Sequence, residues 1–127
     1  MGQQQLLLII LGVIIVGIAI AVGLSLFSAQ SIQANKDAMI NDLNNIAAHA
    51  YQYKIRPASM AGGEGNYSGY KIPNKMASNE NGIYSAPSPS GTTFTITATS
   101  ASNTGTISVQ VTSDGRLSTW SFANDFN

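Results

Sequence analysis

The chain has 127 residues with six basic and six acidic side chains, so its net charge is zero and it carries no field to attract nucleic acid or anionic lipid. Cysteine is absent, which excludes disulfides and thiolate metal sites. Only 9% of residues are charged, and with a hydrophobic N-terminal run set aside the remainder suffices for one small domain with one core and a polar, nearly neutral surface.

The first predicted element is a long helix over residues 3–57. Residues 6 to 35 carry no charge, and Leu6 to Phe27 form an almost purely apolar stretch of 22 residues. As a helix at about 1.5 Å per residue this stretch rises about 33 Å, enough for a hydrocarbon core about 30 Å thick. A cleaved secretory signal has a basic start, an apolar core of about 7–15 residues and a small-residue cleavage site. Here Met1-Gly2-Gln3-Gln4-Gln5 supplies no basic residue, and the run passes into a polar, still helical pattern. The pattern predicts a membrane helix that continues as a stalk.

Over residues 28–56 the helix becomes amphipathic. Ile32, Met39, Leu43, Ile46, Ala50 and Tyr53 recur at spacings of seven, four and three, which places them on one face. Asn35, Lys36, Asp37, Asn41, Asp42, Asn44 and Asn45 read as a solvated face. No proline precedes Pro57, whose ring clashes with the preceding turn and ends the helix. One uninterrupted helix from about Gln4 to about Ile55 is expected.

Residues 58–127 are expected to form a globular β head, giving an α+β fold. Residues 58–91 read as irregular, with Ala61-Gly62-Gly63-Glu64-Gly65-Asn66 as a flexible loop, prolines at 73, 87 and 89, and short strands at Tyr70–Ile72 and Ile83–Tyr84. Residues 92–123 alternate apolar and polar side chains in three runs, which predicts a three-stranded antiparallel meander. Asp114-Gly115 is a strong two-residue hairpin signal, because a type I′ turn needs positive φ at both positions.

That turn dictates a register. With Ser113 facing Arg116, Val109 lies opposite Trp120, Ile107 opposite Phe122 and Val111 opposite Ser118, with Leu117 on the other face. In the first hairpin Phe94 pairs with Val111, Ile96 with Val109 and Ala98 with Ile107, around a loop at Ala101–Thr104. Phe94, Ile96, Ile107, Val109, Val111, Trp120 and Phe122 then share one apolar face, which a one-residue slip would destroy. The stripe from Met39 to Tyr53 is the surface expected to cover it.

The segment Gly2-Gln3-Gln4-Gln5-Leu6-Leu7-Leu8-Ile9-Ile10-Leu11-Gly12, followed by an amphipathic helix and a small meander, resembles a type IV pilin-like subunit. Prepilins carry a short leader ending in Gly and are cut after it on the cytoplasmic side. The resemblance implies residues 1–2 as leader, with Gly2 its last residue and Gln3 the first mature one. It further implies a prepilin peptidase and pilus assembly machinery as partners. The subunit would reside in the cytoplasmic membrane before joining copies of itself in an extracellular helical filament. Three positions depart from the family pattern. Leu7 stands where most pilins have glutamate, Gln3 where an apolar first residue is usual, and no proline occurs about twenty residues in.

Other features have bland readings. Gly17, Ala21, Ser25 and Ala29 recur every four residues, a ladder that lets helices approach closely, although Gly and Ala are frequent in membrane helices generally. Gln3-Gln4-Gln5 reads as the membrane boundary, with a hydrogen-bonding role in the filament as the alternative. His49, the sole histidine, reads as a surface or half-buried polar residue. Gly62-Gly63-Glu64-Gly65 lacks the Lys-Ser/Thr of a phosphate loop. Asn66-Tyr67-Ser68 fits a glycosylation acceptor pattern short enough to arise by chance. Tyr51, Tyr53, Tyr67, Tyr70 and Tyr84 read as packing between loop and helix. Thr93, Thr95, Thr97 and Thr99 line the outer face of a strand, where glycan attachment is conceivable.

No nucleophile–base pair or paired carboxylates form a motif, so no catalytic, cofactor or metal site is expected. The sparse Lys and Arg argue against nucleic acid as a partner. Two functions remain: a structural filament subunit, or a single-pass membrane-anchored accessory or binding protein, such as a minor pilin or pseudopilin, that does not polymerise.

Overall fold

The computed structural model describes residues 2–87 and 89–127. Met1, in the expected leader, and Ser88, in the expected irregular segment, lie outside the described residues. By internal contacts the chain divides into two compact units, Met1–Ser31 and Ile32–Asn127. Helix α1 runs unbroken over Gly2–Ile55, as the absence of proline before Pro57 requires.

The second unit is an α+β head. A helix α2 (Asn74–Ala77) is followed by strands β1 (Gly82–Ser85), β2 (Phe94–Ser100), β3 (Thr106–Val111) and β4 (Leu117–Ala123), which form one antiparallel meander in the order β1-β2-β3-β4. The expected three-stranded sheet therefore has a fourth strand, drawn from the segment read as irregular. Its inward residues are Gly82 and Tyr84, and its outward ones Ile83 and Ser85. Residues 70–72 form no strand.

The helical stripe and the inner sheet face make one core. Met39, Leu43, Ile46, Ala47 and Ala50 of α1 are buried with Tyr84, Phe94, Ile96, Ala98, Ile107, Val109 and Val111 of the sheet. Tyr67 and Tyr70 pack on Phe94, and Phe126 also joins the cluster. The β2–β3 register is Phe94↔Val111, Ile96↔Val109 and Ala98↔Ile107, the pairing that the alternation demands.

The β3–β4 hairpin departs from the expected one. Gly115 has φ +79°, but Asp114 is not among the residues with positive φ, so the turn is not type I′. Gly115 N–H donates to Thr112 O and Thr112 N–H to Arg116 O, which closes a three-residue loop with glycine in the left-handed position. The extra loop residue shifts the pairing by one, giving Val111↔Leu117 and Gln110↔Ser118. Leu117 thus faces the core beside Val111 and is half-buried against it, contrary to its expected placement on the outer face.

A bulge then restores the register. Between Ser108↔Ser121 and Gln110↔Ser118, Thr119 and Trp120 both stand opposite Val109, and Ile107↔Phe122 resumes as expected. Thr119 has φ +54°, a left-handed conformation that costs a β-branched residue about 1–3 kcal/mol. Trp120 is consequently not a core residue: it is 37% exposed and stacks on Phe122, with ring centroids 5.8 Å apart and planes 7° apart. Phe122 itself is half-buried, because β4 is the edge strand.

The glycine-rich loop is not free chain. Gly63 N–H donates to Tyr53 O at 2.8 Å, Gly65 N–H to Lys54 O at 2.6 Å and Glu64 N–H to Arg56 O at 3.1 Å. These donors satisfy carbonyls that the end of α1 leaves without helical partners. A Cβ on Gly63 would collide with the Asn66 carbonyl and the Tyr53 ring, so glycine is required by close packing.

Candidate functional site

In the first unit, the large apolar side chains from Leu6 to Phe27 are uncovered. Leu6, Ile10, Ile14, Ile18, Val22 and Phe27 expose between 52% and 72% of their surface. A soluble surface rarely presents contiguous apolar area on this scale, and such a patch marks an interaction site with lipid or protein. The segment is long and apolar enough to cross a membrane. Gly2 and Gln3, the residues flanking the expected leader cut, lie in the exposed first turn of α1. Gly17, Ala21, Ser25 and Ala29 are all exposed along α1, and a Cβ added to Gly17 meets nothing within 4 Å. The ladder is thus an accessible strip of small side chains.

The head carries two polar clasps that no local motif announces. Asp42 Oδ2 accepts from the Tyr84 hydroxyl at 2.7 Å and from Asn79 Nδ2 and Asn81 Nδ2, each at 3.0 Å. Burial raises the Asp42 pKa, but the three hydrogen bonds outweigh it and hold the carboxyl below the ordinary value of 3.8. Burial, reinforced by the hydrogen bond to Asp42 and by its charge, pushes the Tyr84 hydroxyl well up. About two turns earlier on α1, Asn35 accepts from Ser100 Oγ at 2.6 Å and from Asn103 Nδ2 at 3.2 Å, and donates to Asn81 O at 3.1 Å. Asn35 and Asp42 are therefore half-buried anchors and not members of a solvated face. The partners lie 37 to 68 positions away, so only the folded topology reveals the pairing.

The remaining singled-out residues have structural surroundings. His49 is exposed and its Nδ1 is 2.9 Å from the Tyr70 hydroxyl. Asn66 is half-buried, and its Oδ1 accepts from Ser68 N–H at 3.0 Å. Tyr53 donates to Ser68 O at 2.8 Å and ties the loop to the helix, while Tyr67 donates to Thr112 O at 2.7 Å and ties the loop to the end of β3. Among the described residues, no three His, Cys, Asp or Glu side chains come together as a metal site. Among the described residues, the depressions on the head include one of about 160 Å³ beside Asp42 and Lys75 and one of about 350 Å³ on the outer sheet face.

Comparison with protein-family models, curated proteins and solved structures gives no match to this chain.

Proposed function

We propose that this chain is a structural subunit of a type IV pilus-like filament, held in the membrane by its apolar helix before assembly and packed through it against copies of itself afterwards. The observation that carries the reading is the uncovered apolar surface from Leu6 to Phe27, beside a head that buries its own core. An apolar helix in water must find lipid or protein, and a filament interior offers the second after the first. The ladder from Gly17 to Ala29 supports close helix packing, since small side chains let backbones approach. The resemblance of residues 2–12 to a prepilin cleavage region adds the leader, its peptidase and an assembly machinery to the proposal.

A membrane-anchored monomer uses the same helix without its ladder. Purifying surface filaments from the source cells and fitting the chain into their density separates the two. Density that places residues 6–27 in a common interior supports the filament. Chain found only in the membrane fraction, with none in filaments, overturns it.

A further inference from the structure

The bulge in β4 creates a site on the outer sheet face. Thr95, Ser108, Val109, Gln110, Thr119 and Ser121 line an open depression of about 350 Å³. It forms where two residues of β4 stand opposite Val109 and the β3–β4 ladder is interrupted. Thr119 holds the left-handed φ of +54° at its rim, and bulges of this kind re-aim side chains beside functional sites. Strain of this sort directs attention to function when it occurs in a non-glycine residue.

The lining chemistry selects the ligand. It contains four hydroxyls and one carboxamide, and no charged side chain. Hydroxyls and amides both donate and accept, so the wall matches a ligand that does the same at many points. An ion would find no countercharge, and an apolar ligand would leave these groups unpaired at a cost. Among the described residues, the hydroxyls of Thr95, Ser108 and Ser121 make no side-chain hydrogen bond, and the Thr119 Oγ1 to Gln110 Oε1 contact is long at 3.5 Å. The geometry points to a binding site for a neutral, polyhydroxylated ligand, a glycan residue, at the β4 bulge. Ser108 and Ser121 face each other across β3 and β4, while Gln110 supplies the carboxamide. The site belongs to a single head, so it does not rest on polymerisation.

Trp120 is the sole tryptophan and follows Thr119 directly, so its emission reports on the bulge. The test uses the full chain in a zwitterionic detergent without a sugar headgroup, titrated with methyl glycosides of glucose, galactose, mannose and N-acetylglucosamine. The expected result for at least one of them is a saturable change in Trp120 emission at millimolar concentration. Backbone amide shifts should be confined to residues 95, 108–110 and 119–121. Ser108→Leu fills the depression and Thr119→Gly keeps the bulge while removing the rim hydroxyl. Each should weaken binding at least tenfold, whereas Thr99→Ala, on the same face outside the site, should leave it unchanged. Non-saturating responses to all four glycosides overturn the proposal, as does equal binding by Thr119→Gly, a variant that suits the backbone and folds even where Ser108→Leu does not. A neutral polysaccharide competing for the same amides identifies a polymer as the source of the glycan residue, and its failure to compete identifies a free sugar.

Discussion

The Tyr84 hydroxyl donates to Asp42 Oδ2 at 2.7 Å across 42 positions of sequence, tying the edge strand β1 to the polar side of α1. The same oxygen collects both asparagines of the Asn79–Asn81 turn, and Asn79 Oδ1 in turn accepts from the backbone N–H groups of Asn81 and Gly82. One carboxylate therefore orders a loop and starts a strand. Among the described residues no buried side-chain nitrogen or oxygen lacks a partner, so the clasp is a satisfied network of the kind that specifies one packing.

Asp42 should set the acid limit of the head, and Tyr84 together with Tyr70 its alkaline limit. A carboxyl whose pKa is lowered by folding adds stability that is present above its unfolded value and is lost as pH falls through the folded one. Asp42 should thus cost the head stability below about pH 4, the range of an ordinary carboxyl. Tyr70, pushed up to about 12, and Tyr84, pushed up further, act in the opposite sense. Their contribution is full below the ordinary value of 10.0 and declines as pH rises above it. Urea midpoints should be flat between these limits. Asp42→Asn should flatten the acid limb and lose about 1.5–3 kcal/mol at neutral pH, the usual value of hydrogen bonds to a charged group. An unchanged acid limb in that variant would assign the dependence to another group.

Thr119→Gly tests the bulge as a source of strain. Glycine occupies φ near +54° without steric cost, so the variant should stabilise the head by about 1 kcal/mol against thermal unfolding, the strain relief exceeding the entropy cost of glycine. A lower midpoint would show that the threonine side chain contributes more through its contacts than its backbone loses.

The sequence made the inner sheet face and its helical lid legible, because period-two alternation in β2 and β3 and the spacing of Met39, Leu43, Ile46 and Ala50 are each imposed by burial. The β2–β3 register follows from that alternation alone. The β3–β4 register needed the turn as well, and Asp114-Gly115 serves two turn types that differ by one residue. With the longer one, Leu117 swings to the core and Thr119 must absorb the offset, which displaces Trp120 to the surface. β1 was half legible at Ile83–Tyr84, its short length and the neighbouring prolines concealing its place in the sheet. The clasps of Asp42 and Asn35 were hidden because their partners are remote in sequence. The Ala61–Asn66 run looked flexible because glycine supplies freedom and close packing alike, and only the contacts distinguish them.

Gly63→Ala measures that distinction. Its Cβ would meet the Asn66 carbonyl and the Tyr53 ring, and the loop would have to release the carbonyl of Tyr53. The expected loss is about 2–4 kcal/mol, combining overpacking with a broken helix-end hydrogen bond. Gly91→Ala, at φ +67° with open space around it, should lose only about 1 kcal/mol through strain. Equal losses in the two variants would return the loop to free chain.

The filament proposal predicts a separation of insertion from assembly. Gly17→Leu with Ala21→Leu adds bulk to the exposed ladder where nothing in the same chain lies near Gly17, so the head should fold and the helix should enter membranes as before. Closely packed neighbours would then be forced apart, and filaments should be lost. Normal filaments from the double variant would overturn packing through the ladder.

The filament proposal raises a matter of charge at the N-terminus. The proposed cleavage after Gly2 would make Gln3 the first residue, with no acidic side chain before Asp37 to neutralise its ammonium. An unpaired ammonium buried among apolar helices is costly, and Leu7 occupies the position where most pilins offer a glutamate. An N-terminal glutamine has its own remedy: the α-amine attacks the side-chain carboxamide, a five-membered lactam closes and ammonia leaves. The product is neutral, and Gln4 and Gln5 can hydrogen-bond around it. Mass spectrometry of the N-terminal peptide from purified filaments should find Gln3 first and lighter by one ammonia. Gln3→Ala should then retain a free amine and assemble poorly, while Leu7→Glu should rescue assembly of that variant by supplying the missing acid. An unmodified amine at Gln3 in intact filaments would refute lactam formation, and a peptide that retains Met1 would show that the leader is not removed.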